Sequence, residues 1–173
     1  MVTSSSSAST SEENSVNEHL LYSVERTFDA PIDVVWAAWT TASALESWYH
    51  PTELSVVPGS ATSEATEGGA WSIGIDASKF GFTPYFYGRY TAVAPHQHLR
   101  HTMHYTESVE ALTEADQTTD FHEIEVDFSE EGRGTTVTFR QIGDLPEEEA
   151  TRAKAGMESY FDSLAAYLAD PSH

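Results

Sequence analysis

The period of the hydrophobic positions changes along this chain from two to between three and four, returns to two, and ends on a long helical stretch. Tyr22, Val24 and Phe28 fall on one parity, with Ser23, Glu25 and Thr27 on the other, as in a strand with one buried face. Asp29-Ala30-Pro31 interrupts this strand. Pro31 suits a first helical turn, because its missing N–H would have no intrahelical partner there. Ile32, Val35, Trp36 and Trp39 then recur at helical spacing. Thr40-Thr41 with Ser43 offers a second N-cap before a short segment ending Leu45-Glu46-Ser47-Trp48. The pattern predicts strand, helix, helix.

Strands follow. Leu54 and Val56 suggest a short one, Gly68-Gly69 a turn, and Trp71, Ile73 and Ile75 the inward positions of the next. Residues 76–84 read as a loop. The aromatic run from Tyr85 to Val93 has no clear parity, and Gly88 within it permits a bulge or bend. Pro95-His96-Gln97 turns the chain into Leu99, His101, Met103 and Tyr105. The polar run 106–119 reads as a long acidic connection. Beyond it His122, Ile124, Val126 and Phe128 share one face, Val137 and Phe139 alternate with threonines, and Ser129–Gly134 supplies the glycines of a hairpin. After Asp144-Leu145-Pro146, with acids suited to a helix N-terminus, Ala150, Ala153, Met157, Tyr160, Phe161, Leu164 and Leu168 form one apolar stripe reaching about Pro171.

Composition narrows what such a chain does. Its 173 residues, 39% hydrophobic and without internal repeat, suit one domain, taken as residues 19–171. Residues 1–18 are rich in Ser and acids, with no basic segment or apolar run, and read as a disordered tail rather than a signal peptide or membrane span. The absence of cysteine removes disulfides and thiol catalysis and is compatible with a cytoplasmic protein. Twenty-eight acids against eight Lys and Arg give a formal charge of −20, which repels nucleic acid and anionic lipid. These acids are scattered over loops and outer faces, unlike a calcium loop, and suggest a hydrated surface suited to a salt-rich, halophilic setting. Phosphate-binding glycine loops, nucleophile elbows and zinc-protease helices are all missing from the sequence.

The ordered elements resemble one superfamily. Arg26-Thr-Phe-Asp-Ala-Pro31, Val35-Trp36-x-x-Trp39, Leu45-x-x-Trp48, Gly68-Gly-Ala-Trp71, Gly88-Arg-Tyr90, Gly134-Thr-Thr-Val-Thr138 and the terminal Gly156 with Leu164 and Leu168 are similar to the START-like SRPBCC proteins. Within them, the chain resembles the family related to the activator of heat-shock protein 90 ATPase. The resemblance covers residues 20–169. It implies an α+β helix-grip fold: a curved antiparallel sheet of six to seven strands around a long C-terminal helix, with two short helices closing one end of a cavity. Many relatives carry Trp where this chain has Met157. The implied function is binding of a small hydrophobic molecule, as monomer or homodimer and without a cofactor. Regulation of a chaperone ATPase in the stress response, or cyclase- or dehydratase-like catalysis in the same cavity, are the alternatives.

In that fold Trp48, Tyr49, Trp71, Tyr85, Tyr87, His101, Met103, Met157 and Tyr160 are the expected ligand-binding residues, on inner faces or at the cavity mouth. Phe121 is a further candidate, although its parity opposes Ile124 and Val126. His96, His98, His101, His104 and His122 crowd two neighbouring strands. His101 and His104, three apart, point to opposite faces, so no preformed metal pair exists and no metal is expected. His101 faces inward and is the one candidate catalyst, with His122 next by parity. Arg26 shares the parity of Val24 and Phe28; it must either turn outward or meet a carboxylate, because an unpaired buried charge is too costly.

Overall fold

The first strand, β1 (Leu20–Phe28), buries Tyr22, Val24 and Phe28, and Pro31 stands immediately before helix α1 (Ile32–Thr40). Helix α2 (Ala42–Trp48) follows after a single residue, Thr41, whose side chain makes no capping hydrogen bond. The computed structural model describes residues 20–107 and 121–170, so the expected tail and most of the acidic connection lie outside the described residues. Seven further strands complete the sheet. They are β2 (Ser55–Val56), β3 (Thr62–Ser63), β4 (Ala70–Asp76), β5 (Tyr85–Ala94), β6 (His98–Thr106), β7 (His122–Glu131) and β8 (Gly134–Ile142). Helix α3 (Glu147–Ala169) ends the described chain.

The strands form one antiparallel sheet in the order β1-β8-β7-β6-β5-β4-β2, with β3 paired to β4. The first strand thus pairs with the last, and α3, leaving β8, returns across the inner face to pack along β1. This is the helix-grip arrangement. Two of the eight strands, β2 and β3, are only two residues long, and the second of them carried no period-two signal. The loop over 76–84 contains a single 3-10 turn, Ser78–Phe80.

The core lies between α3 and the sheet. Phe161 is fully buried and touches the rings of Phe28, Trp39 and Phe139, joining the terminal helix to β1, α1 and β8. Trp39 and Trp48 meet edge to face at 4.8 Å, and Trp48 Nε1 donates to the Ala38 carbonyl at 2.7 Å. Ser163 Oγ donates to the His50 carbonyl at 2.7 Å, fixing the end of α2 to α3. Arg26 meets a carboxylate: it pairs with Asp162 of α3 at 2.7 Å while its guanidinium lies over the Phe161 ring. The charge that its parity turns inward is carried along the helix to a half-exposed partner. No helix among the described residues is long and apolar enough to cross a membrane.

Candidate functional site

Inside the sheet the packing opens into two adjoining spaces that share Tyr49 as a wall, one beneath the two short helices and one beneath α3. The deeper is a compartment of about 20 Å³ lined by Trp39, Leu45, Tyr49, Trp71, Ile73, Tyr90, Leu99 and His101. That is room for one water-sized group. The outer is a cavity of about 240 Å³. Phe86, Met103 and Phe139 of the sheet and Ala153, Gly156 and Met157 of α3 give it apolar walls. Tyr22, Tyr49, Tyr160 and Gln141 add three phenols and one amide.

His101 is held neutral in the deep compartment. Its Nδ1 lies 2.9 Å from the Thr102 carbonyl oxygen, which can only accept, so Nδ1 carries the proton and Nε2 is an acceptor. Burial pushes its pKa down to about 4, partly opposed by that hydrogen bond. The same carbonyl accepts from Trp71 Nε1 at 2.9 Å, and the two rings stand edge to face at 4.5 Å. Gly88 makes this possible: a Cβ there would fall on the Thr102 carbonyl, and the β5–β6 register shifts nearby, between Tyr90 and Ala92. The irregularity of β5 lies at that shift rather than at Gly88, whose part is to leave the room that this backbone oxygen occupies. Across the compartment, the Nε1–H of the buried Trp39 finds no acceptor among the described residues. Tyr90 bonds Ser63 Oγ at 2.7 Å.

The outer cavity has its own polar edge. Tyr22 donates to Gln141 Oε1 at 2.6 Å, and Gln141 Nε2 lies 2.7 Å from His122 Nδ1. Burial drives the phenols of Tyr22, Tyr49 and Tyr160 well above the ordinary tyrosine range, and each is raised further by a neighbouring phenol. All three are uncharged hydrogen-bonding groups at neutral pH. Gln141, Met103 and Phe86 also border a wider outer pocket that includes His104, Phe121, His122 and Asp144.

The structure gathers six of the nine expected residues on these walls: Tyr49, Trp71, His101, Met103, Met157 and Tyr160. Trp48 is fully buried behind Trp39 and Tyr49 and lines neither space, a core residue rather than a contact. Tyr85 and Tyr87 are corrected to the outer face. They stand opposite Gly74 and Ser72, whereas Phe86 stands opposite the inward Ile73. Tyr87 stacks on His104 at 5.0 Å, and Phe121 packs on the same imidazole at 5.3 Å, burying a histidine that alternation places on the outer face. His98 is outward and pairs with Asp127, which also meets Arg140; beside them Arg100 bonds Glu123 and Glu125. His96 sits in the β5–β6 turn with φ 66° and its ring against Trp36. No three His, Asp or Glu side chains among the described residues converge as metal ligands.

Sequence reasoning missed Phe86, Tyr90 and Gln141 as cavity residues. The signals were there: Arg89 must face solvent, which puts its neighbours Gly88 and Tyr90 on the inner side and, by alternation, Phe86 with them. Gln141 is a polar residue on the apolar parity of Val137 and Phe139.

A family model described as Activator of Hsp90 ATPase homolog 1-like protein matches residues 29–169. Among solved structures, the AHSA1 protein from Silicibacter pomeroyi is similar at 20% identity over 86% of this chain and 96% of its own, with a TM-score of 0.71. A protein from Staphylococcus epidermidis solved by NMR is 25% identical over 87% of this chain and 92% of its own, TM-score 0.70. One from Chromobacterium violaceum is 21% identical over 85% and 95%, TM-score 0.68. Comparison with curated proteins finds no match.

Proposed function

This chain belongs to the family of Activator of Hsp90 ATPase homolog 1-like proteins, and from that premise we propose that it is a binding domain for a small hydrophobic molecule held between α3 and the sheet. The observation that carries the reading is the outer cavity itself. A space of about 240 Å³ with apolar walls and a few convergent phenol and amide groups suits a compact apolar ligand with one polar end. Catalysis has less support. Among the described residues, the hydrogen bond of His101 is to a backbone carbonyl, and no titratable side chain stands within bonding distance of its ring.

Thermal unfolding in the presence of small aromatic compounds tests the reading. A ligand at one hundred times its Kd adds about 2.7 kcal/mol to stability. Met157→Trp fills the cavity from α3, so it should abolish that gain while the protein still melts cooperatively. A ligand-induced shift of equal size in Met157→Trp would place binding elsewhere. Failure of every compound to stabilise the wild-type protein would sink the proposal.

A further inference from the structure

The hydrogen-bond chain at the edge of the outer cavity has a direction. Tyr22 gives its phenol proton to Gln141 Oε1, and Gln141 Nε2 faces His122 Nδ1. An amide nitrogen only donates, so His122 Nδ1 accepts and the ring proton sits on Nε2. Burial lowers the pKa of this imidazole and keeps it toward the neutral form, opposed in part by Asp144, which borders the same outer pocket. Gly143 leaves space for the ring, since a Cβ there would overlap it. With its proton committed to Gln141, Tyr22 offers the cavity an acceptor only. Tyr49 and Tyr160, on the same wall, rotate their hydroxyls to donate or accept and do not discriminate.

We infer that the Tyr22–Gln141–His122 chain makes the cavity selective for a ligand whose polar end is a hydrogen-bond donor, an alcohol or phenol hydroxyl, with His122 as the positioning residue that sets this polarity. The inference rests on the cavity being a ligand site and adds which polar group that site takes. A donor in place of His122 Nδ1 reverses the chain. Gln141 then turns its carbonyl to that donor and its NH2 to Tyr22, which frees the phenol proton for an acceptor on the ligand.

Calorimetric titration of the full chain with two isomers, para-propylphenol and para-ethylanisole, tests this. They share every atom count and differ in whether the oxygen carries a proton. The phenol should bind roughly tenfold more tightly, the worth of one hydrogen bond. Tyr22→Phe should erase the preference. His122→Lys should narrow or invert it, and His122→Glu, an acceptor, should restore it. Equal binding of the isomers to the wild-type protein, or a preference for the ether, would overturn the inference and leave the cavity reading standing. Binding of neither would overturn both. A phenol preference unchanged in a folded His122→Lys would remove His122 from the assignment. Should that variant not fold, a preference unchanged in Tyr22→Phe decides against the chain as a whole.

Discussion

Replacing His101 by leucine should make the protein less sensitive to acid, by an amount that follows from its surroundings. The imidazole is buried, neutral and bonded through Nδ1 to the Thr102 carbonyl, and its pKa falls from the ordinary 6.5 to about 4. Between these values the unfolded chain holds a proton that the folded chain lacks. Stability from this group is therefore intact above pH 6.5, declines as pH falls, and is fully lost below about 4. The whole window is worth about 3 kcal/mol, of which about 2 kcal/mol is already gone at pH 5. Leucine binds no proton in either state. It leaves no orphan behind, because Trp71 Nε1 still donates to the same carbonyl. Urea unfolding of both proteins at pH 8 and pH 5 isolates the effect, since every other titrating group is common to the pair. The difference in stability should move by about 2 kcal/mol in favour of His101→Leu at the lower pH. An unchanged difference would mean that His101 protonates as readily folded as unfolded, and the enclosed, neutral histidine described above would be wrong.

Three further expectations concern stability. Phe161→Ala removes the fully buried ring that joins α3 to β1, α1 and β8, and should cost about 3–5 kcal/mol by chemical denaturation. Gly156→Ala should stabilise by about 1 kcal/mol in the same assay, since the glycine lies inside α3 and a Cβ there meets nothing within 4 Å. Raising sodium chloride from about 0.1 M to about 2 M should raise the melting temperature, because screening relieves the repulsion of a −20 chain; a flat or falling midpoint would argue against the salt-adapted reading.

Much of the fold was legible because its strands have one wet face. Alternation in β1, β7 and β8 marks the inner residues correctly, and Pro31 marks the passage to α1. Legibility failed where the two faces look alike. In β5, Tyr85, Phe86 and Tyr87 are all aromatic, so composition cannot choose the inward one, and the register against β4 decides it. Trp48 was misread for another reason. Two helices joined by a single residue bring it onto Trp39, a tertiary contact without a sequence period. The deep compartment depends on a carbonyl turned inward beside Gly88, and a backbone oxygen has no letter in the sequence. On the outer face of β6 to β8, Arg100 and Arg140 pair with Glu125 and Asp127, and His98 bonds the same aspartate.

The two ends of α3 differ in how firmly they are seated, and this bears on the rate at which a guest is exchanged. Its second half buries Met157, Phe161 and Leu164 in the cluster around Trp39, and the buried Ser163 bonds the His50 carbonyl. Its first half, from Glu147 to Gly156, buries no residue, although Ala153 and Gly156 roof the outer cavity. The short helices at the other end are clamped by the edge-to-face contact of Trp39 with Trp48 and by the Ser163 bond. On the proposed function, a guest passes the opening turns of α3, like a flap hinged near Met157, and its residence time follows local fraying of those turns rather than parting of the sheet from its helices.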